Sequence, residues 1–317
     1  MATLSPLALF DIASDGAASS VADAWPAATG NAGYRWVHLD LNQPDTQKWC
    51  DEHLPQVASH ALNQSETRPR LSELDGGLIL TVRGVNLNAN SDPEDMVSLR
   101  LYITPSSITS TRLRKVFAVD DIRQRAEAGR GPRDVGSFLV SLMRGLTERV
   151  EDLTLKLEDR TDEAEEQALS GKEVPDIAEL RQQVIKLKRY IGPQKEAFFA
   201  LAAQDTVPMD GRTGHLLHEI ANRAARNAEV LDSLYERLVA LQDHTDAHTA
   251  RRLAQNSYIF SIMATVFLPL GFLTGLFGVN VGGMPGTDSA MGFALLTLGL
   301  VILGVLLVIL FRLAKWF

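Results

Sequence analysis

Apolar positions along this chain follow two different spacings. Up to about residue 115 they come in short runs broken by Pro, Gly, Asn and Asp. Leu7 to Ile12, Tyr34 to Leu41, Gly77 to Val85, Met96 to Ile103 and Ser107 to Arg112 are predicted strands. Leu71 to Leu74 and Leu78 to Val82, joined through Asp75-Gly76-Gly77, form the clearest hairpin, and Asp45 to His53 and Gln56 to Leu62 are predicted short helices. From Asp134 the spacing lengthens to about 3.5. Val135, Phe138, Leu139, Leu142, Leu146, Val150, Leu153 and Leu157 predict a long amphipathic helix that ends near Gly171. A second helix, antiparallel to it, carries Ile177, Leu180, Val184, Leu187 and Ile191, and Gly192-Pro193 should bend or interrupt it. A third has Leu217, Ile220, Ala224, Leu231, Leu234, Leu238 and Leu241 on one seam, interrupted by Asn227.

Past residue 250 the polar positions vanish. Tyr258 to Phe277 is a twenty-residue run without a formal charge, and Met291 to Phe311 is a second apolar run. At about 1.5 Å per residue each spans the roughly 30 Å hydrocarbon core of a bilayer, where only helices and closed barrels satisfy their own backbone. No breaker separates Gly214 from Pro269, so one helix from about Thr213 through Phe277, on the order of 100 Å long, joins the soluble part to the membrane. The expected fold class is α+β: a 1–133 cytosolic α/β domain, a 134–257 helical funnel and stalk, and a 258–317 transmembrane hairpin.

Charge orients that hairpin. Arg251 and Arg252 precede the first run, Arg312 and Lys315 follow the second, and 278–290 has no Lys or Arg, so both termini are expected in the cytoplasm. Tyr258, Trp316 and Phe317 stand where interfacial anchors are favoured. The single cysteine, Cys50, agrees with a reducing compartment, and no cleavable signal precedes the first span. A net charge of −8 argues against a nucleic-acid partner. No phosphate-cradling loop, nucleophile elbow or nucleophile–base pair is visible, so no enzyme activity and no cofactor are expected. Disorder is expected only around residues 13–33, rich in Ala, Ser and Gly.

One hairpin cannot enclose a water-filled path, but a ring of copies can. Ser257, Ser261, Ala264, Leu268, Gly271, Gly275 and Gly278 recur at steps of three and four as a stripe of mostly small side chains, opposite the bulkier Ile259, Val266, Phe267, Leu270 and Leu273. Two readings stand: the stripe lines a pore, or its small residues let helices pack closely.

Met263-Ala264-Thr265-Val266-Phe267-Leu268-Pro269-Leu270, followed by Gly275-Leu276-Phe277-Gly278-Val279-Asn280, resembles the pore helix and signature of the CorA-type divalent metal ion transporter family. Val279 in place of the more usual Met, the loop Val281-Gly282-Gly283-Met284-Pro285-Gly286 and the ending Ala314-Lys315-Trp316-Phe317 bring it nearer the family's zinc-transporting ZntB branch. The resemblance implies a homopentamer in a bacterial inner membrane with one inner ring of pore helices. It implies that Gly278, Val279 and Asn280 form the selectivity filter, and that the cargo is zinc or a related divalent cation moved into the cytosol with protons. The chemistry is compatible, since the Gly278 carbonyl and the Asn280 amide oxygen, repeated around a ring, can hold a cation through its water shell. Magnesium-transporting relatives carry an acid where this chain has Gly286, leaving only Asp288 in the loop to attract cations. Neither span contains Asp, Glu, His, Lys or Arg to relay a proton.

Further cytosolic candidates are open. Residues 151–166 hold eight acids against Lys156 and Arg160, either giving a ring of copies a negative field or balanced by Arg181, Lys186, Lys188 and Arg189 on the neighbouring helix. Asp243, His244, Asp246 and His248 place two imidazoles one helical turn apart with carboxylates nearby, a spacing that can ligate zinc; His215 and His218 share a face in the same way. His38, His53 and His60 read as ordinary structure. Rivals to zinc transport are a magnesium, cobalt or nickel channel of the same fold and a tail-anchored scaffold that transports nothing.

Overall fold

A computed structural model describes residues 4–21, 32–65, 67–74, 76–172, 174, 176–278, 286 and 289–313. The expected turn residue Asp75, the helix-start signal Pro175, residues 22–31 of the 13–33 segment, Asp288 and the interfacial Trp316 and Phe317 lie outside them. The chain divides into two compact units, Met1–Gln242 and Asp243–Phe317.

The first unit is built on a seven-stranded mixed sheet of order β2-β1-β3-β7-β6-β5-β4. Its strands are β1 (Ala8–Ala13), β2 (Ala18–Ser20), β3 (Ala32–Asp40), β4 (Arg70–Leu74), β5 (Gly77–Gly84), β6 (Val97–Thr104) and β7 (Ser107–Arg112). Only β3 and β7 pair in parallel; every other neighbour is antiparallel. The hairpin closes with Leu74 opposite Gly77, and Gly76 at φ +79° supplies the left-handed turn residue that a side chain disfavours.

Both sheet faces are covered, which explains why β5 is a continuous apolar run rather than an alternating one. Leu9, Val37, Leu39 and Ile79 meet α1 (Asp45–His53) and α2 (Gln56–Asn63), through Trp49, Cys50 and Leu62. On the other face Tyr34, Trp36, Leu80 and Leu99 pack against α3 (Phe117–Glu127), α4 (Val135–Leu169), α5 (Ile177–Ala203) and the start of α6 (Gly211–Gly278). Asp134 caps α4 by accepting the Ser137 N–H at 2.6 Å.

Two expectations are corrected, and one helix was not foreseen. Helix α5 is not interrupted at Gly192 and Pro193 but runs through them as one element. Proline there removes one backbone donor, and burial of Ile191, Gln194, Ala197 and Phe198 on either side of it holds the helix through the defect. Helix α3 falls between the two periodic regions; its polar surface residues hide Ala118, Val119, Ile122 and Ala126, which are buried. On α4 the seam passes through Thr147, Thr154 and Thr161, while Leu153 is only partly buried.

Beyond their sheet-packed ends, α4, α5 and α6 form a three-helix bundle. Val150 and Leu157, Val184 and Leu187, and Leu231, Leu234 and Leu238 share its core.

In the second unit α6 continues to Gly278, through Pro269, and α7 spans Gly292–Leu313. Both are long and apolar enough to cross a membrane, and the most apolar window of each is wholly unburied. Water would not tolerate that much bare apolar helix; lipid or other helices would.

Candidate functional site

Within the apolar run 258–278 of α6 the half-buried residues are Ile262, Val266, Pro269, Leu270 and Leu273. They face α7, whose own half-buried positions include Leu296, Leu300, Leu303, Gly304 and Leu307. Leu270 reaches within 4.0 Å of the position a Gly304 side chain would take, an ordinary van der Waals distance that brings the two helices into contact at this level.

At roughly 100° per residue, the centre of the small-residue stripe lies about half a turn from that contact. Ser257, Ser261, Ala264, Leu268, Gly271, Gly275 and Gly278 are all exposed, Leu268 to 73%. The stripe is therefore not what packs α6 on α7 within one chain; the bulky flank does that. Gly271 alone also borders a groove of about 750 Å³ between the two helices, with Leu270, Thr274, Thr297 and Val301.

Three threonine hydroxyls in this unit are satisfied locally. Thr265, Thr274 and Thr297 donate to the carbonyls of Ser261, Gly271 and Phe293 at 2.7, 3.0 and 2.8 Å. Pro269 lacks the N–H that would bond the Thr265 carbonyl, which leaves a neutral backbone oxygen in the middle of the apolar run.

Gly278 ends α6; Val279 and Asn280 lie outside the described residues. Gly286 has φ +93°, and its carbonyl accepts the Ser289 N–H at 3.2 Å just ahead of α7. The site of a Gly292 side chain would fall 2.8 Å from that carbonyl, so the turn closes on a bare α-carbon. An acidic side chain in place of Gly286 would meet this left-handed backbone and be strained, which gives the departure from the magnesium-type pattern a structural basis.

Asp243, His244, Asp246 and His248 are all exposed on α6, as are His215 and His218. Among the described residues no group of three or more His, Cys, Asp or Glu side chains converges as a metal site. The lone histidines of the first unit are structural. Buried His38 faces the Ser110 hydroxyl through Nδ1 at 2.9 Å, and desolvation, then the Arg112 charge, lower its pKa to about 3. His53 stacks on Trp49, and His60 is exposed.

The acidic face of α4 is balanced by arginines of α6, which the sequence reading missed. Arg223 donates to Glu151 through Nε at 3.0 Å, and Arg237 donates to Glu165. Of the cations expected from α5, Lys186 pairs instead with Asp95 and Lys188 with Asp232, both at about 2.9 Å or less. Geometry decides this: every seventh residue of α6 returns to the flank nearest α4.

Compared with known proteins, the chain matches the family described as CorA-like Mg2+ transporter protein over residues 31–313. It is 38% identical over 274 residues to the zinc transport protein ZntB of Yersinia enterocolitica serotype O:8 / biotype 1B, covering 84% of this chain and 83% of that one. Among solved structures, the full-length CmaX protein superposes with a TM-score of 0.82 at 31% identity over 98% of each chain. The ZntB cytoplasmic domain from Vibrio parahaemolyticus RIMD 2210633 gives 0.61 at 25% identity, covering 68% of this chain and 88% of that one.

Proposed function

The chain belongs to the CorA-like Mg2+ transporter family, and on that premise we propose that it carries zinc across the inner membrane through a homopentameric pore lined by α6. The observation that carries this reading is the 38% identity to a zinc transport protein over most of both chains. The exposed stripe opposite the α7 contact supports the pore assignment, since a ring of copies would turn that face inward. In this reading Ser257, Ser261, Ala264, Leu268, Gly271 and Gly275 line the path and Gly278, Val279 and Asn280 form its mouth. Zinc is cargo, held at the mouth through its own waters by neutral oxygens, and no cofactor is required. Both termini face the cytoplasm, following the basic residues at the cytosolic ends of the two spans.

Proton coupling belongs to the same proposal and must run through water or the cargo's own hydration shell, because no described residue of 258–311 is ionisable apart from Tyr258. His244 and His248, with Asp243 and Asp246, would then act on metal only where several copies bring their helices together. The test is flux in reconstituted vesicles with zinc, nickel, cobalt and magnesium under imposed pH gradients. Zinc flux that rises with an inward proton gradient is expected. Magnesium flux with none for zinc would favour the channel named by the family description, and no flux of any metal would leave a scaffold.

A further inference from the structure

The bundle of α4, α5 and α6 follows a heptad on every helix, yet its packing is not uniformly apolar. On α4 the buried positions run Met143, Thr147, Val150, Thr154, Leu157, Thr161 and Ala164, in steps of four and three. Threonine thus occupies one seam position in three successive heptads, at 2%, 3% and 0% exposure. Thr161 returns its hydroxyl to the Leu157 carbonyl at 2.7 Å. The hydroxyls of Thr147 and Thr154 have no hydrogen-bond partner among the described residues.

Across from Thr147 the same layer is polar on the other two helices. Asn227 of α6 is 8% exposed, and its Nδ2 is without a partner among the described residues. Gln194 of α5 is 3% exposed, and its Oε1 accepts the backbone N–H of Arg83 on β5 at 2.7 Å. Thr147, Gln194 and Asn227, one from each helix, line a single cavity of about 10 Å³.

An apolar heptad seam seats each knob in one hole and resists displacement. A layer with unmatched donors is disfavoured where it stands and has hydrogen bonds to gain by a small shift. We infer that this layer is a bistable shear contact. In the arrangement described, the Asn227 Nδ2 and the Thr147 hydroxyl are without a partner among the described residues; in a second, α6 shifts by on the order of 1–2 Å against α4 so that Asn227 Nδ2 donates to Thr147 Oγ1. Gln194, tied to the sheet, is the fixed point past which α6 moves, and its neighbour Pro193 leaves the α5 backbone one hydrogen bond short at the same level. The cost in stability of keeping threonine and asparagine here is what makes the two arrangements close in energy.

The use of this movement in transport rests on the reading above, so two separate measurements test it, both on the full chain. Spin labels on cysteines at the exposed positions 155 and 233, in a Cys50→Ser background, report the α4–α6 distance. A broad or two-peaked distribution is expected, narrowing in the Thr147→Val/Asn227→Leu variant. A sharp single distance in the parent protein overturns the proposal whatever the protein transports. In vesicles the same variant should melt at a higher temperature yet carry zinc roughly fivefold or more slowly, while Thr147→Ser, which keeps the hydroxyl, behaves as the parent. A higher melting temperature with unchanged zinc flux overturns the coupling and leaves the layer a packing feature. Absence of zinc flux from the parent removes the transport reading instead.

Discussion

Arg237 of α6 grips Glu165 of α4 with two nitrogens, Nε at 2.8 Å and Nη2 at 2.7 Å, and the same Nη2 also reaches Asp162. Fourteen residues earlier on α6, and fourteen earlier on α4, Arg223 grips Glu151 in the same forked way. Two heptads on each helix separate the clamps, so they share the register of α6 on α4 in the arrangement described, and their long arginine stems can follow a shift of an ångström or two.

Because both partners of the lower clamp are about a third exposed, its worth is limited by solvent screening. Arg237→Gln should lower stability by about 0.5–1 kcal/mol, and by less as salt is raised. Thermal melts of the purified protein at low and high ionic strength check this. An effect of the same size at every salt concentration would mean that the arginine acts through its apolar stem instead.

Buried His38 gives the first unit a pH dependence of known sign. Its folded pKa, about 3, lies below the ordinary value of 6.5, so the native state refuses a proton that the unfolded chain accepts. Stability from this residue is intact above about pH 6.5 and declines as pH falls toward 3, with a slope of up to about 1.4 kcal/mol per unit. Replacing His38 by Asn, whose amide can still hydrogen-bond the Ser110 hydroxyl, should flatten that part of the profile. An unchanged slope in the variant assigns acid sensitivity to other groups.

The regular parts of this fold were legible because periodicity is written in apolar residues. Both membrane spans, the long α6 and the strand β5 are found where Leu, Ile and Val fall at the right spacing. What escaped is carried by residues that periodicity does not count. Thr147, Thr154 and Thr161 complete the α4 seam, but a search for apolar steps passes to Leu153 instead. The short edge strand Ala18–Ser20 has no apolar alternation at all and exists only by pairing with β1. Likewise, charge counting found the acids of α4 but not their partners, because Arg223 and Arg237 are about 72 residues away in sequence. At the candidate site the stripe was legible as a pattern; which side of it α7 covers was not, since the α7 sequence is apolar all round.

Asn280, outside the described residues, tests the mouth. If its amide oxygen orders the hydration shell of the arriving cation, Asn280→Ala should abolish zinc uptake in vesicles while the assembly keeps its size in solution. Uptake at the parent rate would remove the filter assignment.

The stripe itself is tested at Leu268. It is the one large apolar member of an otherwise small-residue face, and its side chain is turned away from the α7 contact made by Val266, Pro269 and Leu273. Around a central axis, leucines at this level would form a hydrophobic constriction that closes by dewetting. Leu268→Ala should then widen and wet the path, raising flux and relaxing selectivity among zinc, nickel and cobalt. If the stripe instead serves contacts between copies, the same change leaves transport near normal and loosens the assembly, because a buried leucine is lost from an interface. Single cysteines at positions 257, 261, 268 and 271 in a Cys50→Ser background separate the two. Block of flux by water-soluble thiol reagents at these positions, and not at 266 or 270, is the expected result. Block at 266 and 270 alone would mean that the flank facing α7 within one chain turns to water in the assembly, and the pore would have to be rebuilt on that side of α6.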